Sequence, residues 1–254
     1  MNVRGIILLP VSILYGIITF FRNVLFDIGI FREKKHKNII TISVGNLSMG
    51  GTGKTPMVEY LIESLQDKYK IATLSRGYGR KTSGFKIANE KANAKIIGDE
   101  PMQYYSKYEK ITVAVDGKRN RGVSKLIKAN NELQIIALDD AFQHRWIKPN
   151  LSILLTDYHK MFHNDFVFPS GSLREFKWGS KRADIIVVTK TPVVLSPITR
   201  RRISDELNLE TYQKLVFSKV VYSGLKEWNT NKLKKIPGHY STIILFTGKR
   251  VAIR

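Results

Sequence analysis

The sequence contains no cysteine, and this absence excludes several kinds of chemistry. Disulfide bonds, thiolate zinc sites and cysteine nucleophiles cannot occur in this chain, which is compatible with a reducing cytoplasm. Nucleic-acid-binding signatures are missing too, since there is neither an Arg-Gly-aromatic motif nor zinc-finger spacing. We therefore expect no nucleic-acid partner. Internal repeats and low-complexity segments are also absent from the sequence.

Acidic residues are scarce relative to basic ones. The chain has 42 Lys and Arg against 21 Asp and Glu, a net charge of +21. This excess indicates a polyanionic partner, either phosphorylated metabolites or an anionic membrane face. The alternative is a lysine-rich protein whose charged faces are simply solvated. Hydrophobic residues make up 43% of the chain, enough to bury a sizeable core.

The N-terminal stretch from Gly5 to Phe21 lacks charged residues. As a helix it would be about 26 Å long, close to the bilayer core of about 30 Å. Arg4 and Arg22 flank it, and the basic run "REKKHK" follows. We predict an uncleaved anchor that spans the membrane or lies in its interface, with the basic flank on the cytoplasmic leaflet. A signal peptide and a buried core helix are the alternatives, although no small-residue cleavage site follows.

The rest of the chain alternates short apolar runs with amphipathic stretches. The runs are rich in Ile, Val and Leu without strict alternation, as expected of strands covered on both faces. They are residues 38–45, 70–77, 110–116, 133–140, 151–157, 183–190, 215–224 and 241–248. Helical patterns separate several of them, so the fold class is α/β: a P-loop NTPase-type, mostly parallel sheet with helices on both faces, preceded by the N-terminal helix.

One loop carries a phosphate-binding pattern. In "SVGNLSMGGTGKTP" an apolar strand leads into a glycine-rich turn, and Lys54 and Thr55 then open a helix. In such a loop, backbone N–H groups and the helix N-terminus hold phosphates, the lysine reaches the β- and γ-oxygens, and the threonine hydroxyl binds Mg²⁺. The strict pattern has glycine where this chain has Ser48. The predicted nucleotide-binding residues are Ser48, Met49, Gly50, Gly51, Thr52, Gly53, Lys54 and Thr55.

A second acidic element fits the same site. The apolar run "IIALDD" ends in Asp139 and Asp140, the pattern of a strand whose terminal acids organise a metal ion. The alternative is an ordinary acidic turn after a strand. Gln143, His144 and Arg145 follow in "DDAFQHR" and are expected beside the same site.

Two further motifs bear on the type of nucleotide enzyme. The strand "IIVVT" is followed by Lys190 and lacks the Asn-Lys-x-Asp pattern of GTPases, which argues against a G protein. In "GDEP", Asp99 lies in a turn before a helix, where a carboxylate could accept a proton from an attacking hydroxyl. A helix-capping role for Asp99 is the alternative.

Six blocks in this order resemble the lipid A 4′-kinase (tetraacyldisaccharide 4′-kinase) family. They are "VGNLSMGGTGKTP", "LSRGYGR", "GDEP", "DDAFQHR", "PSGSLRE" and "RADIIVVTK", and they follow an N-terminal apolar helix. The resemblance runs from the N-terminal helix to about Gly248. Within that family the loop also lacks the glycine that Ser48 replaces.

The resemblance implies transfer of a phosphoryl group from ATP, with Mg²⁺, to the 4′-hydroxyl of an acylated glucosamine disaccharide 1-phosphate in lipid A biosynthesis. It implies a monomeric enzyme at the cytoplasmic face of the inner membrane. By motif, Lys54 and Thr55 hold ATP and Mg²⁺, Asp139 and Asp140 organise the metal, and Asp99 is the candidate base. Arg174, and less directly Arg76 or Arg119, would meet phosphates or developing charge.

The C-terminal end departs from the family pattern. The family continues past "LFTG" with a second lobe that includes a supporting histidine, whereas this chain ends with "KRVAIR". We therefore expect a fragment or frameshift product, and an inactive fragment is one alternative function. A membrane-tethered P-loop ATPase that switches a partner is the other. The expected domains are an anchor (1–31), a P-loop kinase domain (36–215) and the beginning of a C-terminal lobe (216–254).

Overall fold

A computed structural model describes residues 3–221, 243–246 and 250–253 of the chain. The chain divides into two compact units, Met1–Lys219 and Val220–Arg254. The first unit contains an eight-stranded sheet with helices on both faces, which confirms the predicted α/β class. The predicted domain boundaries stay predictions, and residues 225–240, between the last two predicted strands, lie outside the described residues.

The first unit holds eight strands and seven helices in its described part. The strands are β1 (Ile40–Asn46), β2 (Ile71–Ser75), β3 (Lys86–Ile87), β4 (Thr112–Val115), β5 (Ile135–Asp139), β6 (Leu151–Asp157), β7 (Ile185–Thr189) and β8 (Lys214–Phe217). The helices are α1 (Val3–Ile7), α2 (Leu9–Asp27), α3 (Lys54–Leu65), α4 (Ala94–Ile97), α5 (Asp99–Lys107), α6 (Arg119–Ala129) and α7 (Pro197–Leu207), with 3₁₀ turns at Phe162–Asn164 and Lys177–Arg182.

The sheet order is β3-β4-β2-β5-β1-β6-β7-β8, and every pairing is parallel except that of β3 with β4. The strand before the phosphate loop therefore lies in the middle of the sheet. Its Val44 pairs with Asp139 of β5, so the two predicted motifs emerge side by side at the carboxyl edge. Parallel α/β sheets bind their ligands at this edge.

The two faces of the sheet carry different helices. On one face, Ile62 of α3 and Tyr104 of α5 pack with the odd-numbered core residues of β5. On the other face, α6 packs beside β2 and β5, and α7 packs with β7. Tyr15 of α2 also packs against that second face. Both faces are thus covered, which explains why the strands lack apolar–polar alternation.

The N-terminal helix lies along the folded unit with its small and polar residues inward. Ser12, Gly16 and Thr19 are buried, whereas large apolar side chains on the opposite side of α2 are exposed. A Cβ at Gly16 would lie 2.5 Å from the Phe176 ring, so glycine permits this close approach. The Ser12 hydroxyl lies 2.8 Å from that of Ser170. The helix is therefore part of the packed unit.

Besides the two 3₁₀ turns, three described elements were not predicted from the sequence. They are the two-residue β3, the single turn α4, and a strand in the second unit, β10 (Arg250–Ile253), which pairs antiparallel with β9 (Ile243–Phe246). β3 is exposed and too short for a periodic signal. α4 is one turn capped by the Asn93 side chain.

Candidate active site

The phosphate loop connects β1 to α3 through left-handed glycines. Gly50 has φ 126° and Gly53 has φ 87°, conformations that side chains with a Cβ rarely adopt. No described atom lies within 4 Å of a Cβ built on Gly50 or Gly51, so this part of the loop borders open space. α3 begins at Lys54 directly after Gly53. The free N–H groups of its first turn therefore lie beside that space, where they can bind an anion.

Hydrogen bonds from the ends of β1 and β7 hold the loop in this shape. The buried Asn46 side chain donates to the Thr52 hydroxyl at 2.8 Å. Lys190 Nζ donates to the Gly51 carbonyl at 2.6 Å and pairs with Asp157 at 2.6 Å. The Thr189 hydroxyl donates to the Thr52 carbonyl at 2.9 Å. Within the loop, the Thr52 N–H donates to the Gly50 carbonyl at 3.1 Å, so the N–H groups at the start of α3 are the main ones that remain for a ligand.

Lys54 extends from the loop towards the carboxylates. Its Nζ lies 3.4 Å from Asn46 Oδ1 and 3.7 Å from Asp140 Oδ1. The next residue, Thr55, lines a cavity that Lys54 also lines. The lysine is therefore located between the phosphate loop and the acidic end of β5.

Asp139 is buried at the end of β5. Its Oδ2 accepts hydrogen bonds from Tyr104 Oη at 3.0 Å and from Ser75 Oγ at 3.4 Å. The pKa of Asp139 is raised to about 6, mainly by burial and in part by the charge of the neighbouring Asp140, while the hydrogen bond from Tyr104 offsets part of the rise. A cation placed at this carboxylate would favour its ionised form.

Asp140 adopts a left-handed conformation (φ 46°), which turns the chain sharply after β5. Its two carboxylate oxygens accept from Arg174 Nη1 at 2.9 and 3.1 Å. Arg174 also lies 3.3 Å from Gln143 Oε1, while Gln143 Nε2 donates to the Asn46 carbonyl at 2.8 Å. These contacts tie the turn after β5 to the end of β1.

A cavity of about 1040 Å³ brings most of these groups together. Lys54, Thr55, Asp139, Asp140 and Arg174 all line it. The α2 residues Tyr15, Thr19 and Arg22 line it as well, so one wall of the cavity is the N-terminal helix. Tyr15 Oη donates to the Arg174 carbonyl at 2.9 Å, and Arg22 donates to the Gln143 carbonyl.

A family model for the tetraacyldisaccharide-1-P 4′-kinase (LpxK) matches residues 4–242. The chain belongs to the LpxK family.

Several LpxK relatives share nearly half of their residues with this chain. A tetraacyldisaccharide 4′-kinase of Flavobacterium johnsoniae is 49% identical over 222 residues, covering 87% of this chain and 65% of the relative. That of Flavobacterium psychrophilum is 48% identical over 241 residues, covering 92% and 70% respectively. That of Parabacteroides distasonis is 47% identical, covering 87% of this chain and 60% of the relative. The chain therefore spans roughly three fifths to seven tenths of their length.

A solved LpxK structure has the same fold. The crystal structure of the "apo" form of LpxK from Aquifex aeolicus, in complex with ATP, is 34% identical with a TM-score of 0.69. The match covers 83% of this chain and 63% of that protein. The LpxK-like fold of the described unit is thereby shown.

The predicted LpxK site residues divide into three groups. One group lines the cavity: Met49, Gly50, Lys54, Thr55, Asp139, Asp140 and Arg174. A second group forms the body of the loop: Ser48, Gly51, Thr52 and Gly53. Asp99 is exposed at the first position of α5 and is not among the cavity-lining residues, although its neighbour Glu100 is. The catalytic, nucleotide and metal assignments stay predictions.

The other predicted residues also have defined positions. Arg145, expected beside the same site, instead pairs with Asp27 and Glu33 and is not among the residues that line the cavity. Arg76 is exposed at the cavity, and His144 also lines it. Burial, together with the charges of Arg119 and Arg76, lowers the pKa of His144 to about 4. Arg119 itself is buried, and its guanidinium donates to the carbonyls of Asp116 at 2.5 Å and Asp139 at 3.0 Å. Arg119 thus fastens the ends of β4 and β5 together and does not line the cavity.

Sequence reasoning missed three residues that shape the LpxK site. Asn46, Tyr104 and Lys190 contact the loop or the buried carboxylate but carry no motif of their own. Asn46 is the last residue of β1, directly before the phosphate loop, and this position is a sequence signal that could have identified it. Tyr104 lies on α5, and its contact with Asp139 depends on helix packing that the sequence does not reveal. Lys190 entered the sequence analysis only because the residues around it lack the Asn-Lys-x-Asp pattern of GTPases.

The carboxylates fit Mg²⁺ held jointly with phosphates. Among the residues that the structure describes, no group of three His, Cys, Asp or Glu could hold a metal ion. Mg²⁺ usually binds one or two carboxylates, with phosphate oxygens and water completing its octahedron. Two adjacent aspartates beside a phosphate loop therefore suit Mg²⁺ better than a metal that needs a complete protein cage.

Proposed function

We propose that this protein transfers the γ-phosphoryl group of ATP to the 4′-hydroxyl of a tetraacyldisaccharide 1-phosphate. One observation carries the proposal: Lys54 and Thr55 of the phosphate loop face Asp139 and Asp140 in a cavity that α2 also lines. A nucleotide site and an apolar helix at one cavity suit a kinase whose acceptor is a lipid. Membership of the LpxK family supports the same acceptor.

The nucleotide would bind along the glycine loop. Backbone N–H groups of residues 50–55 would hold the phosphates, and Lys54 would contact the β- and γ-oxygens. ATP is the nucleotide in the Aquifex aeolicus LpxK structure, which supports ATP here. Thr55, Asp139 and Asp140 would hold Mg²⁺, whose charge offsets that of the phosphates.

The remaining side chains would orient the acceptor and accept the proton from its hydroxyl. Asp99 is the proposed base, and no hydrogen bond or ion pair joins its side chain to another described residue. Arg174 is paired with Asp140 and could also neutralise phosphate charge. Arg76 at the cavity is a second cation for the acidic acceptor.

We place the protein at the cytoplasmic face of the inner membrane, where ATP is available. α2 is long and apolar enough by composition to cross a bilayer. However, its hydrogen bonds to the folded unit recur along its length, from Ser12 through Tyr15 to Asn23. A helix fastened in this way fits a position in the interface, with its exposed apolar side towards lipid.

The function is tested by a transfer assay with disaccharide 1-phosphate in mixed vesicles and labelled ATP. Lys54→Ala should lower kcat/KM by at least about 10²-fold, because it removes a cation that meets transition-state charge. Lys68→Ala, at an exposed lysine after α3, is the matched control and should retain the activity.

Two outcomes would contradict the proposal. Near-normal transfer by Lys54→Ala would show that the phosphate loop does not take part in the reaction. ADP release that needs Lys54 but produces no phosphorylated lipid would favour an ATPase that switches a partner.

A further inference from the structure

Large apolar side chains are exposed beside α2 on a second segment of the chain. Trp178 of the second 3₁₀ turn is 57% exposed, and Phe166 and Phe168 are 52% and 43% exposed. Exposed aromatic side chains that cluster are unusual on a soluble surface and indicate an interaction site.

Ring contacts join this segment to α2, at the exposed Phe20 and at the partly buried Tyr15. The rings of Phe20 and Trp178 lie 6.2 Å apart, and those of Tyr15 and Phe168 are also 6.2 Å apart. Phe176 stacks beside Trp178 at 5.2 Å. We call the exposed apolar residues of α2, together with Phe168 and Trp178, which contact that helix, and Phe166, two residues before Phe168, the apolar patch.

A small cavity opens inside this patch. Its volume is about 260 Å³, and its apolar walls are Phe20, Val24, Phe176 and Trp178. The charged residues Asp27, Lys181 and Arg182 also line it, so it offers both an apolar and a charged surface to a lipid.

Positive charge accompanies the aromatic residues. Lys177 is exposed, and no ion pair joins it to another described residue. Lys181 is also exposed and pairs with Glu210, while Arg182 pairs with Glu175. Trp next to Lys is the composition that settles at the level of lipid headgroups. The net charge of +21 favours an anionic surface over a neutral one.

We propose that residues 166–182 form the second half of the membrane-binding surface and that the occupant of the apolar patch is an anionic bilayer. Phe166, Phe168 and Trp178 enter the acyl boundary beside α2, and Lys177 meets anionic headgroups. This inference rests on the membrane association proposed above for α2. It adds that α2 alone is not sufficient for full binding.

The test measures binding of the whole chain to phosphatidylcholine vesicles with and without phosphatidylglycerol. Phe166→Ser/Trp178→Ser should lower the partition constant about tenfold or more, because two large apolar side chains no longer leave water. Lys177→Gln should lower it about fivefold on the anionic vesicles only. The matched control is Tyr60→Ser, at an exposed aromatic residue of α3 on the opposite face of the sheet.

A fluorescence measurement keeps the test independent of folding defects in the double variant. In a chain with Trp146→Phe and Trp228→Phe, Trp178 is the remaining tryptophan. Lipids brominated on their acyl chains should quench its emission when the protein is bound. Bound protein with unquenched Trp178 would overturn the inference.

The outcomes separate this inference from the proposal on which it rests. If Leu14→Ser/Ile18→Ser on α2 abolishes binding while the segment variants behave like Tyr60→Ser, α2 acts alone and the inference is wrong. If neither pair of substitutions changes binding, membrane association through α2 is wrong as well. If the segment variants change a dimer into a monomer and leave vesicle binding intact, the patch is a subunit interface.

Discussion

Tyr104 connects the helix that carries the predicted base to the buried carboxylate. It is fully buried, and its hydroxyl donates to Asp139 at 3.0 Å. Burial and the nearby Asp139 charge both raise the pKa of Tyr104, so the phenol stays protonated and remains a donor. The Tyr104 hydroxyl and the more distant Ser75 hydroxyl both donate to Oδ2, so Oδ1 is the Asp139 oxygen to which neither hydroxyl donates.

Tyr104→Phe should weaken both stability and transfer. Removing the donor leaves a buried acceptor poorly satisfied, which costs about 1–3 kcal/mol of unfolding free energy. We expect kcat to fall about tenfold because Asp139 loses its fixed orientation. Tyr105→Phe, next to it on α5, is the control for denaturant unfolding and steady-state kinetics. Equal behaviour of the two variants would show that the Tyr104 hydroxyl has no positioning role.

His144 should make stability depend on pH. Its pKa is lowered from 6.5 to about 4 in the folded protein, so between these values the unfolded chain binds a proton that the folded chain does not. Above pH 6.5 the imidazole is neutral in both states and does not lower the free energy of unfolding. As the pH falls from 6.5 towards 4, the unfolded chain takes up the proton and the free energy of unfolding declines. The loss approaches about 3 kcal/mol at the acid end.

The measurement compares unfolding free energies of the parent and His144→Gln across this range. The variant should lose less stability on acidification than the parent. His159→Gln, at an exposed histidine, provides the control. Parallel pH profiles for parent and His144→Gln would contradict the assignment.

At the scale of elements, Gly45 lets the turn after β5 close onto β1. A Cβ at Gly45 would lie 2.6 Å from Phe142 Cβ and 2.9 Å from the Phe142 backbone nitrogen. Because backbone atoms cannot rotate away, any side chain here must push the turn outward. That turn carries Asp140 and Gln143 next to the phosphate loop.

Gly45→Ala should therefore lower the unfolding free energy by about 1–3 kcal/mol. It should also reduce transfer, since the turn would move away from Lys54. Gly117→Ala is the control, because no described atom lies within 4 Å of a Cβ built there. Thermal and denaturant unfolding measure the difference, and equal stability of both variants would refute the close packing.

The strands and main helices were predictable because each has a long periodic or continuous apolar signal. The order of the strands was not predictable from such signals. Lys190 supports the Gly51 carbonyl only because β7 lies two strands from β1, with β6 between them. Asp139 and Lys54 could be anticipated from local motifs, whereas Asn46 and Tyr104 act through tertiary contacts that no local pattern encodes.

The inward orientation of the small residues of α2 was equally hidden. An uncharged run predicts a helix and an apolar environment, but it does not say which side meets protein. Here Gly16 contacts Phe176 while Leu14 and Ile18 face outward. Deleting the helix would therefore remove structural contacts as well as lipid contacts, and substitutions on its outer side are the better probe of membrane binding.

At the scale of the whole molecule, charge and apolar area should contribute separately to membrane association. The net charge of +21 acts over a Debye length of about 10 Å at 0.1 M salt but only about 3 Å at 1 M. We expect binding to phosphatidylglycerol-containing vesicles to fall strongly between these salt concentrations. A residual fraction, equal to that on phosphatidylcholine alone, should persist through the apolar patch, which includes the outer side of α2.

Vesicle sedimentation at both salt concentrations measures the two contributions. The apolar variant Leu14→Ser/Ile18→Ser should lose the residual fraction and keep the salt-sensitive one. Binding that is identical at low and high salt would mean that the basic surface has no role in attachment.

The cavity wall formed by α2 has a kinetic consequence. Tyr15, Thr19 and Arg22 border the space that Lys54 and Asp139 also border. Under the proposed function, the lipid acceptor would therefore reach the site while its acyl chains stay in the leaflet. The encounter then becomes a two-dimensional search within the membrane plane. Turnover should follow the mole fraction of acceptor in the vesicles and be insensitive to its total concentration, so diluting the acceptor with inert lipid should slow the reaction even when its total amount is constant.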